Sequence, residues 1–280
     1  MKILVTGARG QLGSDICKKL DARKILNKGV DVESFDITNK DAVNNAFSKY
    51  TPDAVIHCAA YTAVDKAEDE PELCRRINED GTRYIAEACK KAGAKMIYIS
   101  TDYVFPGDGL NFYKPHDPTD AISVYGKTKL AGEKVVSEIL EKFFIVRISW
   151  VFGSNGNNFV KTMLRLGKER ESLSVVCDQI GSPTYTAELA GLLCDMVLTD
   201  NFGIYHATNE GVCSWAEFAE EIFLQSGMST KVKHIAASDY PTKAARPLNS
   251  RLDKTCLDNV GFSRLSHWKD ALGDFLKEKG

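Results

Sequence analysis

The sequence contains no run of about 18 apolar residues, no CxxC pair, no low-complexity tract and no excess of one charge. Each absence excludes a class of function. Without a long apolar run no segment reads as a bilayer-spanning helix. The three apolar residues Ile3–Val5 are too few for the core of a secretory signal, so a cytoplasmic protein is expected. The eight cysteines, at 17, 58, 74, 89, 177, 194, 213 and 256, lack the paired spacing of a structural zinc site. Several lie on apolar stretches, such as Cys58 and Cys194, and read as small buried hydrophobes in a reducing compartment. Lysine plus arginine number 36 against 38 aspartates and glutamates, a net charge of −2. Neutralising a phosphate backbone needs a clustered cationic face, so nucleic acid is not an expected partner.

What is present is 280 residues of ordinary globular composition, enough for one large or two fused domains with a sizeable core. Short apolar runs at Lys2–Thr6, Ala54–His57, Lys95–Ser100 and Phe143–Ile148 predict strands. Helical periods fall between them at about 40–50, 72–92 and 125–141. This alternation predicts an α/β fold, a doubly wound parallel sheet of the Rossmann type. After Trp150 comes turn chemistry through Asn158, and helical periods resume at about 159–167, 186–198, 214–226 and 266–278. In the last, Trp268, Ala271, Leu272, Phe275 and Leu276 form one apolar stripe. Pro241 and Pro247 mark irregular segments. The expected organisation is a dinucleotide-binding domain at 1–150 and a smaller α+β substrate domain at 151–280, interleaved with the first and laid over the sheet's carboxyl edge.

Directly after the first strand, Thr6-Gly7-Ala8-Arg9-Gly10-Gln11-Leu12-Gly13 spaces three glycines by three and opens a helix. Gly7 permits a tight turn, Gly10 lets backbone approach a pyrophosphate, and Gly13 lets helix and strand pack closely. The helix N-terminus offers N–H donors and a positive dipole end to the anion. Asp31 lies 18 residues beyond Gly13, near the separation of a ribose-binding carboxylate. Asp36 and Ile37 are candidates to pair with and cover an adenine. Arg9 reads equally as a partner for a 2′-phosphate or as a solvated loop arginine.

A second constellation concerns proton transfer. Tyr125 and Lys129 stand at i and i+4, on one face of a predicted helix. Free tyrosine titrates near 10, and a fixed cation with a bound nicotinamide favours its phenolate. Thr101 ends the strand from Lys95, at the carboxyl edge where ligands bind in open α/β sheets. Its hydroxyl is suited to hydrogen-bonding a substrate carbonyl oxygen. Arg246, before a proline that biases it toward extended backbone, is a candidate for a substrate diphosphate or a surface ion pair. His57 reads as a satisfied core histidine, and Glu188 as a first-turn carboxylate favoured by its helix dipole.

Taken together these elements resemble the extended short-chain dehydrogenase/reductases, and within them the dTDP-4-dehydrorhamnose reductases. The resemblance rests on Gly-Gln-Leu-Gly (10–13), Phe-Asp-Ile-Thr (35–38), Cys-Ala-Ala-Tyr-Thr-Ala-Val-Asp-Lys-Ala-Glu (58–68) and Ser-Thr-Asp-Tyr-Val-Phe (100–105). It continues through Tyr-Gly-Lys-Thr-Lys-Leu-Ala-Gly-Glu (125–133), Asn-Asn-Phe-Val-Lys-Thr-Met (157–163), Asp-Gln-Ile-Gly-Ser-Pro-Thr (178–184) and Ala-Arg-Pro-Leu-Asn-Ser (245–250). It implies reduction of the 4-keto group of a dTDP-6-deoxy-hexulose with NADPH or NADH, giving dTDP-L-rhamnose. By position it implies Thr101, Tyr125 and Lys129 as the catalytic trio, with Tyr103, Trp150 and Asn158 at the sugar. Ala59, Ala60 and Thr62 would line the cofactor beside Lys129, Tyr125 and the turn residues Gly7, Arg9, Gly10, Gln11 and Leu12. Some members hold magnesium between subunits through carboxylates, which leaves a homodimer and magnesium open here, although no hard-metal cluster is legible. Arg9 stands where the family often has a smaller polar residue, and residues 21–31 read weakly as a strand. Both leave NADH versus NADPH undecided. Two rivals share the scaffold: a nucleotide-sugar epimerase or dehydratase that retains its NAD, and a non-catalytic nucleotide-binding regulatory subunit.

Overall fold

In the computed structural model, which describes residues 1–278, short strands and amphipathic helices alternate from the first residues onward. The first half runs β1 (Ile3–Thr6), α1 (Gln11–Ala22), β2 (Asn27–Val30), α2 (Lys40–Tyr50), β3 (Ala54–His57), α3 (Val64–Ala67), α4 (Pro71–Arg75), α5 (Thr82–Ala92), β4 (Lys95–Thr101), α6 (Val124–Ile139) and β5 (Phe143–Ile148). The second half adds β6 (Val151–Phe152), α7 (Phe159–Glu169), β7 (Ser172–Val176), β8 (Ile180–Gly181), β9 (Thr184–Tyr185), α8 (Thr186–Val197) and β10 (Gly203–His206). It closes with β11 (Cys213–Ser214), α9 (Trp215–Gln225), β12 (Lys231–Ile235), β13 (Asn249–Ser250), α10 (Thr255–Asp258) and α11 (Trp268–Lys277).

Six strands form one sheet in the order β10-β5-β4-β3-β1-β2, and every pairing in it is parallel. Alternation along each strand divides the core in two. Ile3, Val5, Ile56, Ile97 and Val146 face α1 and α8. Leu4, Val55, Tyr98 and Ile145 face α2, α5 and α6. Buried on both faces, these strands are predominantly apolar, as a doubly wound sheet requires. The strand order reverses between β1 and β3, so a crevice opens there at the carboxyl edge.

Two features depart from the sequence expectation in detail. The expected helix over 72–92 is interrupted by a π turn at Arg76–Gly81, where the Asn78 side chain bonds Tyr61 and Thr128 across the fold. β2 is an edge strand whose middle residues, Lys28 and Gly29, are exposed. It therefore lacks the apolar run that marks its neighbours.

α8 and β10 lie beyond residue 150 yet complete the large sheet, α8 packing on α1 and β10 pairing with β5. Apart from the α10 segment, whose Leu257, Phe262 and Leu265 join the first core, most of the second half builds a smaller layer from short strands around a second core. Its anchors include Phe152, Phe218, Trp268 and Phe275. Its α9 starts with a full capping box between Ser214 and Glu217. Among the described residues no helix is long and apolar enough to cross a membrane.

Candidate active site

The Gly-rich turn sits at the reversal point. Gly7 adopts φ +64°, and a Cβ there would lie 2.7 Å from Ala59 N. A Cβ at Gly13 would lie 2.2 Å from the Gly7 carbonyl. Both glycines are therefore required by packing. At Gly10 a Cβ would meet only the Gly7 carbonyl, so this residue keeps its open side toward the cleft. No side chain caps the first turn of α1, whose N-cap is Gly10.

The crevice is a cleft of about 660 Å³. Gly7, Arg9, Gly10, Gln11, Leu12, Asp31, Asp36 and Ile37 line one end of it. Ala59, Ala60 and Thr62 follow, and Thr101, Tyr103, Tyr125, Lys129 and Trp150 line the other end. The glycine cradle and a carboxylate at the end of β2 fit an adenine dinucleotide in size and chemistry.

At the β2 end, Asp31 accepts hydrogen bonds from Arg9 N at 3.0 Å and Val32 N at 2.9 Å. The Arg9 guanidinium pairs with Glu33 in the turn that follows. Asp36 accepts from Thr38 N at 2.8 Å, and Ile37 packs on the open side of Gly81.

At the β4 end, Ser123 caps α6 by accepting from Gly126 N, so the helix starts one residue before Tyr125. The turn spacing then brings Tyr125 and Lys129 to the same cleft. Lys129 is 2% exposed, and its Nζ lies 4.0 Å from the centroid of the Tyr98 ring. Burial lowers the Lys129 ammonium to about 7, with Glu133 the largest opposing influence. Burial also drives the Tyr125 phenol well above its ordinary range, against the opposing influence of its Thr101 neighbour. Desolvation is therefore the dominant influence on both groups.

Two sequence candidates lie outside the cleft lining. Asn158 caps α7 by accepting from Lys161 N, and its amide donates to Gln11 Oε1 and to the Gly153 carbonyl, both at 2.9 Å. It ties the 153–158 turn to the phosphate helix. Arg246 pairs with Asp65 and acts on the Tyr103 hydroxyl, while its Nε is buried without a protein partner. His57 is a core residue, hydrogen-bonded to Thr6 Oγ1 at 2.7 Å and Thr82 Oγ1 at 3.3 Å. Burial holds it neutral, down to about 3. Glu188, in the first turn of α8, accepts from Asn209 and Ser266. Among the described residues no group of three or more His, Cys, Asp or Glu is placed to hold a metal ion.

Sequence reasoning missed Asp102 and Trp215. Asp102 lines the cleft, is 3% exposed and accepts from Thr101 Oγ1 at 2.9 Å and Ser250 Oγ at 2.5 Å. Its place directly after Thr101 was a signal, whereas Ser250 is 148 residues distant. Trp215 stacks on Trp150 at a centroid separation of 3.7 Å, and Trp150 itself has φ +49°. No local pattern announces either relationship.

A doubly wound parallel sheet, a Gly-rich turn at its reversal point and a threonine, tyrosine and lysine on one carboxyl-edge cleft define a short-chain dehydrogenase/reductase-like dinucleotide fold. The sequence family described as RmlD substrate binding domain matches residues 1–280. A Bacillus subtilis (strain 168) spore coat polysaccharide biosynthesis protein is 40% identical over 278 residues, covering 99% of this chain and 98% of that protein. An Escherichia coli (strain K12) dTDP-4-dehydrorhamnose reductase is 40% identical over 293 aligned residues, with 99% and 98% of the two chains covered. The crystal structure of dTDP-4-dehydrorhamnose reductase from Bacillus anthracis, in complex with NADP, superposes with a TM-score of 0.97 at 44% identity, covering 99% of each chain. The chain belongs to the dTDP-4-dehydrorhamnose reductase family.

Proposed function

We propose that this protein reduces the 4-keto group of dTDP-4-dehydro-L-rhamnose to give dTDP-L-rhamnose, using NADPH or NADH. The observation that carries the reading is the convergence of Thr101, Tyr125 and Lys129 on the cleft that begins at the Gly-rich turn. Family membership over the whole chain supports the substrate class.

In this reading Gly7, Gly10 and the first N–H groups of α1, with Gln11 and Leu12 beside them, hold the coenzyme's pyrophosphate. Asp31 takes the adenosine ribose, while Asp36 and Ile37 flank the adenine. Ala59, Ala60 and Thr62 form the wall along the coenzyme. When bound, the reduced nicotinamide supplies the hydride. Lys129 holds the nicotinamide ribose and places positive charge near the phenol. Tyr125 gives its proton to the substrate oxygen as charge develops there, the moment at which a general acid contributes most. Thr101 keeps that oxygen against Tyr125. Tyr103 and Trp150 border the sugar, Asn158 steadies the adjoining turn, and Arg246 meets the diphosphate. The dinucleotide unit would comprise residues 1–150 with α8 and β10, and the substrate unit the remainder of 151–280. The reading also carries a cytoplasmic homodimer, which light scattering on the purified protein tests for subunit number.

The deciding assay is coenzyme oxidation with dTDP-4-keto-6-deoxy-L-mannose. Turnover with stoichiometric loss of NADPH or NADH is expected. Purified protein that retains NAD tightly and shows no net coenzyme consumption would instead support an epimerase or dehydratase.

A further inference from the structure

The β2 end of the cleft brings together Asp31 and Glu33 of the turn after β2 and Arg9 of the Gly-rich turn. Asp31 directly follows the strand and is engaged by two backbone N–H groups, from Arg9 and Val32. The turn then continues through Glu33, with Ser34 N returning to the Asp31 carbonyl at 2.8 Å. Val32 and Phe35, on either side of this turn, line the cleft. Glu33 is the exception, since its carboxylate reaches across to the Arg9 guanidinium.

Arg9 is the cation of the Gly-rich turn that lines this end of the cleft. A dinucleotide seated on the turn places its adenosine ribose at the end of β2, and an arginine there is what accommodates a 2′-phosphate. The structure leaves that arginine partnered with a carboxylate of the same chain. Both side chains are well exposed, 72% for Arg9 and 58% for Glu33. An ion pair so exposed is weak and readily exchanged for a dianion.

We propose that Glu33 sets the coenzyme preference of this chain by competing with the 2′-phosphate for Arg9. The proposal rests on the nicotinamide-coenzyme reading of the cleft. NADH has no phosphate at that position and leaves the Arg9–Glu33 pair intact. NADPH must displace Glu33, so part of its charge-assisted contact with Arg9 replaces one already present. Glu33 thereby narrows the advantage that Arg9 would otherwise confer on the phosphorylated coenzyme.

Equilibrium titration by nicotinamide fluorescence tests this on the whole protein, with NADPH and NADH each titrated into wild type, Glu33→Gln, Arg9→Met and the double variant. Glu33→Gln is expected to lower the Kd for NADPH about 3- to 5-fold, the scale of one exposed ion pair, and to move the Kd for NADH less than about 2-fold. In the Arg9→Met background the same substitution should change NADPH affinity less than about 2-fold, since no guanidinium remains to compete for. An unchanged NADPH affinity in Glu33→Gln, equal tightening of both coenzymes, or a full effect without Arg9 would overturn the proposal while leaving the cleft's coenzyme role intact. Wild-type protein that binds neither coenzyme would overturn both.

Discussion

Thr101 directs its hydroxyl hydrogen at Asp102, 2.9 Å away, and Ser250 of β13 donates to the same carboxylate at 2.5 Å. A cleft residue at the end of β4 is thereby joined through one buried carboxyl group to the smaller layer of the molecule. Tyr103 and Tyr125 are the titratable neighbours that feel this charge. Burial outweighs the two hydroxyl donors and raises the Asp102 carboxyl to about 6.

The raised value makes a signed statement about stability. Folding disfavours the carboxylate, so the penalty is absent below the unfolded value near 4, grows as pH rises, and is complete above about 6. At 1.36 kcal/mol per pH unit it is roughly 3 kcal/mol at most. Asp102→Asn should therefore raise Tm by several degrees at pH 8 and by little at pH 4, measured by calorimetry. An equal shift at both pH values would show that the charge is not the cause.

Tyr125→Phe should lower kcat by ~10²–10⁴, because the phenolic proton is needed only as charge develops on the substrate oxygen. Coenzyme affinity should remain within about twofold, as a hydroxyl not used in ground-state binding implies. Single-turnover reduction at near wild-type speed would remove Tyr125 from the acid role.

Lys129 tests a functional charge kept at a cost to stability. Its ammonium is lowered to about 7, so the penalty is complete below that pH and fades as pH rises toward the unfolded value near 10.4. Lys129→Met should raise the Tm of coenzyme-free protein at pH 6 by several degrees. The same variant should bind coenzyme at least ~10-fold more weakly, having lost a charge-assisted contact to the ribose. A lower Tm together with unchanged coenzyme affinity would contradict both halves.

Arg246 is held by Asp65 and its Nε is buried without a partner, so a diphosphate must displace the carboxylate to reach the guanidinium. Arg246→Ala should raise the KM for the sugar nucleotide by ~10-fold or more, with coenzyme affinity constant, as loss of one charged hydrogen bond predicts. Steady-state kinetics with KM unmoved would assign Arg246 a purely structural ion pair.

Much of this was legible in the chain itself. The apolar strands β1, β3, β4 and β5 stand out because both faces of a covered parallel sheet must be buried. The glycines at 7 and 13 stand out because no side chain fits where backbone meets backbone. Tyr125 and Lys129 share a helix face by turn geometry alone, and family motifs extend along most of the chain. All of these are local patterns, written within one element or one turn.

Tertiary structure decided the rest, and each case is a contact between distant segments. β10 joins β5 only because the chain returns across the sheet after residue 202. Arg9 meets Glu33, Asp102 meets Ser250, and Asn158 meets Gln11 across separations of 24, 148 and 147 residues. The lowered Lys129 and raised Asp102 likewise belong to the assembled cleft. Periodicity records which side of an element is buried, whereas a pairing or a desolvated charge depends on which other element arrives there, and packing alone fixes that.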